Sequence, residues 1–170
     1  NLSSLSFNTV QGFNLDSGFS FKKWNEEKGK STSISTTFNY GFSDDRLRVI
    51  GEFSHQFNTI NYASIFVSGG TKTAQFNSAE PITKFVNSIS SLFFKDNYMK
   101  LYNLEFAQIN YTQDVANGIN LNAKIAYEQR KPLFNTTDYS FFKQDDIYSS
   151  NNPLAPNDFT APAFDQHHLF

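Results

Sequence analysis

The 170-residue sequence contains no cysteine, one methionine, one tryptophan and only three histidines, and neither sign of charge dominates it. Each absence removes a class of function. Without cysteine there is no disulfide framework, thiolate metal site or cysteine nucleophile, although a chain without thiols can work in any compartment. With 14 Lys and Arg against 16 Asp and Glu, a net charge of -2 and a pI near 5.9, there is no basic field to capture nucleic acid. No run of 18 apolar residues exists, which excludes a membrane-spanning helix. Residue 1 is Asn, and residues 1–10 have neither a basic nor an apolar leader region. The reading is therefore a mature or excised segment whose targeting information lies elsewhere.

Large apolar side chains are abundant, but they are interleaved with polar ones: 17% of residues are aromatic, 20 of them Phe, while the mean hydropathy is only -0.46. That mixture suits strands with one apolar and one wet face. Over residues 13–24, Phe13, Leu15, Phe19 and Phe21 alternate with Asn14, Asp16, Ser20 and Lys22. A second strand follows the polar turn at 25–30, with Ile34, Phe38 and Tyr40 on one face. A third follows the turn at 41–45, with Leu47, Val49 and Phe53 alternating with Arg46, Arg48 and Glu52. Residues 60–68 read as a fourth strand that ends where Gly69-Gly70 breaks the pattern.

From Pro81 the period changes: Ile82, Phe85, Val86, Ile89, Leu92 and Phe93 recur at helical spacing, and Pro81 after residues 78–80 serves as a start signal. This predicts one amphipathic helix in an insertion over about 78–97. Residues 98–113 read as a fifth strand whose apolar face switches from Tyr102, Leu104 and Phe106 to Ala107, Ile109 and Tyr111, implying a bulge or slip. Asn117-Gly118 is a hairpin signal, and the sixth strand, 119–130, places Ile119, Leu121, Ala123, Ile125 and Tyr127 opposite Asn120, Asn122, Lys124, Glu128 and Arg130. Residues 131–165, punctuated by prolines, read as a long loop, and residues 167–170 as the stub of a seventh strand.

In an up-and-down sheet successive connections alternate between its two ends. The two long connections, after the fourth and sixth strands, must therefore share one end, an asymmetry found in transmembrane β-barrels. The expected fold is all-β: an antiparallel up-and-down sheet forming a section of a transmembrane barrel, in a single domain spanning 1–170. Six strands and a stub cannot close a barrel of at least eight.

Three stretches carry a family resemblance: Phe7-Asn8-Thr9-Val10-Gln11-Gly12-Phe13, Tyr40-Gly41-Phe42-Ser43-Asp44 and Asp96-Asn97-Tyr98-Met99-Lys100-Leu101-Tyr102. In these the chain resembles the DUF5686 family of Bacteroidetes proteins, from about Leu5 to the end, with Gln11 standing where many relatives carry an acid. Members often have an amino-terminal carboxypeptidase-D regulatory-like domain. The resemblance implies an outer-membrane β-barrel of which this chain is a middle section. It implies no catalytic residues.

The residues themselves offer little chemistry. His55, His167 and His168 begin no His-x-x-Glu or His-x-x-x-His pattern, and the last two would point to opposite faces of an extended segment, so no zinc site is expected. Glu26-Glu27, Asp44-Asp45 and Asp145-Asp146 sit among turn residues and read as solvated turns, not acid–base pairs, and no calcium loop, phosphate loop or nucleophile elbow is present. No catalytic, cofactor-binding or metal residue is assigned, and the chain is expected not to be an enzyme. Trp24, Tyr40, Phe42, Tyr98, Tyr111 and Tyr127 are candidates for an interfacial aromatic girdle. Asp16, Lys22, Arg46, Arg48, Glu52, Lys124, Glu128 and Arg130 form a mixed-sign polar face that would line the lumen. The helix reads as a lid, a lumen plug or a docking face, against simple packing over an external loop. The expected role is in envelope transport or assembly at the outer membrane, with the lipid bilayer and other envelope proteins as partners and no nucleic acid. The competing reading is a secreted β-sandwich that binds glycans through its aromatics.

Overall fold

The computed structural model describes residues 4–27, 29–77, 79, 81–165 and 167–169, the last three by their backbone. Among the described residues eight strands follow one another in a meander: β1 (Ser4–Asn8), β2 (Gly12–Asn25), β3 (Lys30–Gly41), β4 (Arg46–Gln56), β5 (Ser64–Gln75), β6 (Leu101–Ala116), β7 (Ile119–Pro132) and β8 (His167–Leu169). Each is antiparallel to its neighbours, in spatial order β1 to β8. Among the described residues β1 and β8 do not meet, so the sheet is open. A short helix, α1 (Lys84–Ile89), continues as a π-helical turn over Ser90–Phe94.

The alternation read from the sequence fixes the faces. Phe21 lies opposite Ile34, Ile34 opposite Phe53, Phe53 opposite Val67, Val67 opposite Ile109 and Ile109 opposite Ile125. Directly opposed residues share a face, so one apolar row crosses six strands. Its members face outward, with Phe21 at 61% exposure and Ile125 at 80%. A second row, Leu5, Leu15, Tyr40 and Leu47, runs parallel to it nearer one end. The reverse face is polar: Ser35 donates to Glu52 (2.7 Å), and Gln108 donates to the buried Ser68 (2.9 Å).

Two buried apolar clusters, Phe7, Leu92 and Tyr148 in one and Val10, Met99 and Leu101 in the other, both lie at the end of the sheet that carries the long connections. This is the capped end. The insertion and the long loop meet there: the Phe141 N–H donates to the Leu92 carbonyl (2.8 Å) and the Tyr148 hydroxyl to that of Ser91 (2.7 Å). At the far end the Asn117-Gly118 hairpin forms as expected, with Gly118 at φ 78°.

Several expectations are corrected. The strand expected over 60–68 lies at Ser64–Gln75, so Gly69 and Gly70 are inside it. Asn58 accepts the Ile60 and Asn61 N–H groups (3.0 Å each), a side-chain turn that holds 60–61 out of the sheet. The helix begins at Lys84, not Pro81, because Thr83 supplies the cap: its hydroxyl accepts from the Val86 N–H at 3.2 Å. Ser78 and Glu80 of the expected start signal lie outside the described residues, as does Phe170 of the terminal stub. β1 was not anticipated.

The face switch expected within β6 is present, but without a slip there. The β5–β6 register is continuous from Ser64 opposite Thr112 to Gln75 opposite Leu101, and the β6–β7 irregularity lies at Asp114/Ala116. The β4–β5 ladder instead stops at Ile50 opposite Gly70, where Gly70 adopts φ 144°. Below that point Ser68 and Gln108 lie on the face of Glu52; above it Thr71 and Asn103 turn to Arg48. As a result Arg130 stacks over the Tyr102 ring with Glu128 at its side, away from the polar face where the alternation had put both charges.

Candidate functional site: a buried polar knot at the capped end

The β1–β2 turn is built by Asn8, whose side-chain Oδ1 accepts the Val10 (3.0 Å) and Gln11 (2.8 Å) N–H groups. Gly12 follows at φ 64°, and a Cβ there would lie 2.0 Å from Ser43 Oγ. Only glycine fits, because the backbone is left-handed and the next turn lies against it. That next turn donates Phe42 N–H to the Phe13 carbonyl and Ser43 N–H to that of Gln11, both at 2.9 Å.

Residues 96–102 close over the same turn. Asn97 donates to the Thr9 hydroxyl (2.7 Å), which donates on to Asn135 (2.6 Å). Thr136 N–H reaches the Thr9 carbonyl (2.9 Å), and Met99 N–H is accepted by Asn87 (2.9 Å). Asn87 is fully buried and donates to the Phe7 carbonyl (3.4 Å) and to Asn97 (3.2 Å). Asn151 donates to the Leu101 carbonyl (2.6 Å) and accepts its N–H (2.9 Å), tying the long loop to the start of β6. The three stretches that carry the family resemblance, far apart in sequence, thus converge on one knot.

Cations pin the knot. Lys95, in the left-handed conformation at φ 65°, buries its ammonium against the Asp138 carbonyl (2.5 Å) and 4.5 Å above the Tyr148 ring. Burial, reinforced by Asp138, pushes the Tyr148 phenol up, so it remains a hydrogen-bond donor. Lys100 is caged by Ser149 Oγ (2.6 Å) and the Ser150 carbonyl (2.7 Å), with no carboxylate paired to it among the described residues, and burial pushes its ammonium down to about 8. In the loop, N–H groups and a hydroxyl from Thr160 and Ala161 hold the Asp158 carboxyl below its usual range.

Beside the start of α1 the polar face carries two small open pockets that share Lys84 and Thr73. One, of about 250 Å³, is lined by Asn8, Gln11 and Met99; the other, of about 210 Å³, by Asp16, Asn39 and Arg48. Lys84 bridges them to Asp16 at 2.6 Å. Arg48 is only 2% exposed and pairs with Asp44 at 2.5 Å, donating also to Asn103 (3.3 Å). Asp44 is therefore half of a buried ion pair, not a solvated turn residue, whereas Glu26, Glu27, Asp145 and Asp146 are exposed. His55 shares a 2.8 Å hydrogen bond with Thr32 and stacks near Phe53. The side chains of His167 and His168 lie outside the described residues. Among the described residues no three His, Asp or Glu side chains come together.

Of the girdle candidates, Tyr40, Tyr111 and Tyr127 stand on the apolar face by register, Tyr127 midway along it opposite Ala107; Trp24 lies opposite Ser31 on the polar side. Phe42 and Tyr98 are exposed in connections at the capped end. The sequence reading missed Asn87, Lys95, Tyr148 and Asn151. For Arg48 a signal existed, since Asp44 precedes it by four residues across a tight turn.

Neither a search of curated proteins nor one of solved structures found a match. A family model does match, that of the C-terminal domain of DUF5686, a family of unknown function, over residues 1–170. The chain, matched over its whole length by that model, belongs to the DUF5686 family.

Proposed function

We propose that this chain is a wall section of an outer-membrane β-barrel, with a non-catalytic role in envelope transport or assembly. The observation that carries this is the inversion of its burial. Among the described residues nine apolar side chains are buried against sixteen polar or charged ones, while thirty large apolar side chains are exposed. Water disfavours that arrangement and a bilayer favours it. The apolar row from Phe21 to Ile125 would contact lipid, and the face with Glu52, Ser68 and Gln108 would line the lumen. The strands of 11 to 16 residues from β2 to β7 are long enough to cross when tilted. The bilayer is the first partner, with other envelope proteins reached through the capped end.

The test compares the full-length protein in buffer and in detergent by circular dichroism and by gel mobility with and without heating. β-structure and heat-modifiable mobility that appear only in detergent are expected. Ile125→Arg should then cost about 2–4 kcal/mol of folding free energy in lipid, as for a cation near mid-bilayer. A soluble monomer folded in buffer, in which Ile125→Arg is neutral, would sink the reading and turn attention to glycan binding by a secreted sandwich.

A further inference from the structure

Helix α1 and its π-helical continuation are inside out. Across Lys84–Phe94 the buried residues are Asn87, Ser91 and Leu92, whereas Phe85 is 72% exposed and Val86, Ile89, Phe93 and Phe94 are exposed with it. A helix lying on a protein in water shows the opposite pattern. The polar side is used on the edge of the sheet: Ser88 Oγ accepts the Phe7 N–H at 2.8 Å and Asn87 donates to the Phe7 carbonyl. This covers β1 and orients the helix. Phe85, Ile89 and Leu92 consequently share an apolar groove of about 220 Å³ with Leu5, Phe7 and Phe13.

Leu5 belongs to the outward row it shares with Leu15, Tyr40 and Leu47, so the groove is continuous with the outer face of the sheet. Ring contacts extend the same surface over the cap. Phe13 meets Tyr139 at 6.0 Å, Tyr139 meets Phe141 at 5.9 Å, and Phe93 meets Phe141 at 5.4 Å and Phe142 at 5.8 Å. Tyr139, Phe141 and Phe142 are themselves exposed. Cations stand at both ends of the helix, Lys84 on Asp16 and Lys143 on the Phe94 carbonyl.

We infer that residues 84–94, with Phe141 and Phe142, form a lipid-contacting element. The helix lies at the boundary between headgroups and acyl chains and sets the depth of the capped end in the bilayer. A lid or lumen plug would place polar residues outward or bury the rings; here the rings share the face of the strands' apolar rows. The inference rests on the wall reading above, and the experiment separates the two.

Because these 170 residues contain no native thiol, single cysteines can be introduced by Phe85→Cys, Val86→Cys, Phe93→Cys, Ile125→Cys and Glu27→Cys. Each is labelled with a nitroxide in the full-length protein, reconstituted into phosphatidylcholine vesicles. Collision rates are measured with oxygen, which concentrates in acyl chains, and with a water-soluble nickel chelate. The expected result is an oxygen-to-nickel ratio at 85, 86 and 93 several-fold above that at 27 and close to that at 125. If 125 is lipid-like while 85, 86 and 93 match 27, or are shielded from both reagents by protein, the helix inference is overturned and the wall stands. If 125 also matches 27, the wall reading falls and the helix inference with it. Phe85 and Val86 are both exposed, so two of the labelled positions sit where a substitution disturbs little packing.

Discussion

Arg48 is held by one carboxylate in a place almost closed to water. Taking both charges out of solvent cancels much of what their attraction gains, so the pair is costly to break rather than strongly stabilising. Asp44→Ala should therefore lower stability by about 3–5 kcal/mol, because it strands a buried guanidinium. The double change Asp44→Ala with Arg48→Met should recover most of the loss. Urea titration in detergent would decide it, and a double variant no better than the single one would mean that Asp44 acts through its turn. Lys100 gives a pH signature. Its ammonium is pushed down to about 8, below the ordinary lysine value, so between about pH 8 and the unfolded value the unfolded chain binds more protons. Its contribution to stability is at its least below pH 8 and rises with pH through that window. The stability difference between the native protein and Lys100→Met should accordingly drift in favour of the native protein from pH 8 to 10. A flat difference would show that the ammonium is solvated.

At the scale of elements, β5 is where local sequence misleads. Two glycines read as a break, yet they sit inside the strand, because the chain needs a close approach there rather than a turn. A Cβ on Gly70 would lie 2.0 Å from the Val49 carbonyl oxygen, while a Cβ on Gly51 would meet nothing within 4 Å. Gly70→Ala is expected to prevent acquisition of heat-modifiable mobility, and Gly51→Ala to leave it unchanged; equal behaviour of the two would refute the assignment. The long strands other than β5 were legible because Phe21, Ile34, Leu121 and their like recur at period two. The Asn-Gly hairpin was legible because its chemistry is local. β1 carried the same signal in Leu5 and Phe7, but five residues next to a tight turn look like coil without the partner strand. The knot was not legible: Asn87, Tyr148 and Asn151 are ordinary polar residues until the fold brings them to Phe7, Ser91 and Leu101. What the sequence did expose was its location, since the three resemblance stretches are the segments that meet there.

For the whole molecule the decisive property is the uneven distribution of order along the strands. Packing and buried side-chain hydrogen bonds gather at the capped end, while the far end is closed by short turns such as Asn117-Gly118. Amide exchange in detergent should follow that gradient. The Val10, Gln11, Met99 and Leu101 N–H groups, each accepted by a buried side chain, are expected to exchange far more slowly than those of residues 117–120. Uniform exchange along the strands would argue against a rigid cap.

The knot also restricts how such a sheet can have grown. β-meanders enlarge readily by duplicating a hairpin, and each added pair of strands moves its neighbours apart by about 10 Å. Between β1 and β7 the turn at Thr9 is bonded to Asn97 and Asn135 at 2.7 and 2.6 Å, so a hairpin inserted anywhere inside that span would tear those bonds. Enlargement is admissible only outside it, before β1 or after β7, which makes this stretch a unit of fixed strand number around which relatives of different size can be built.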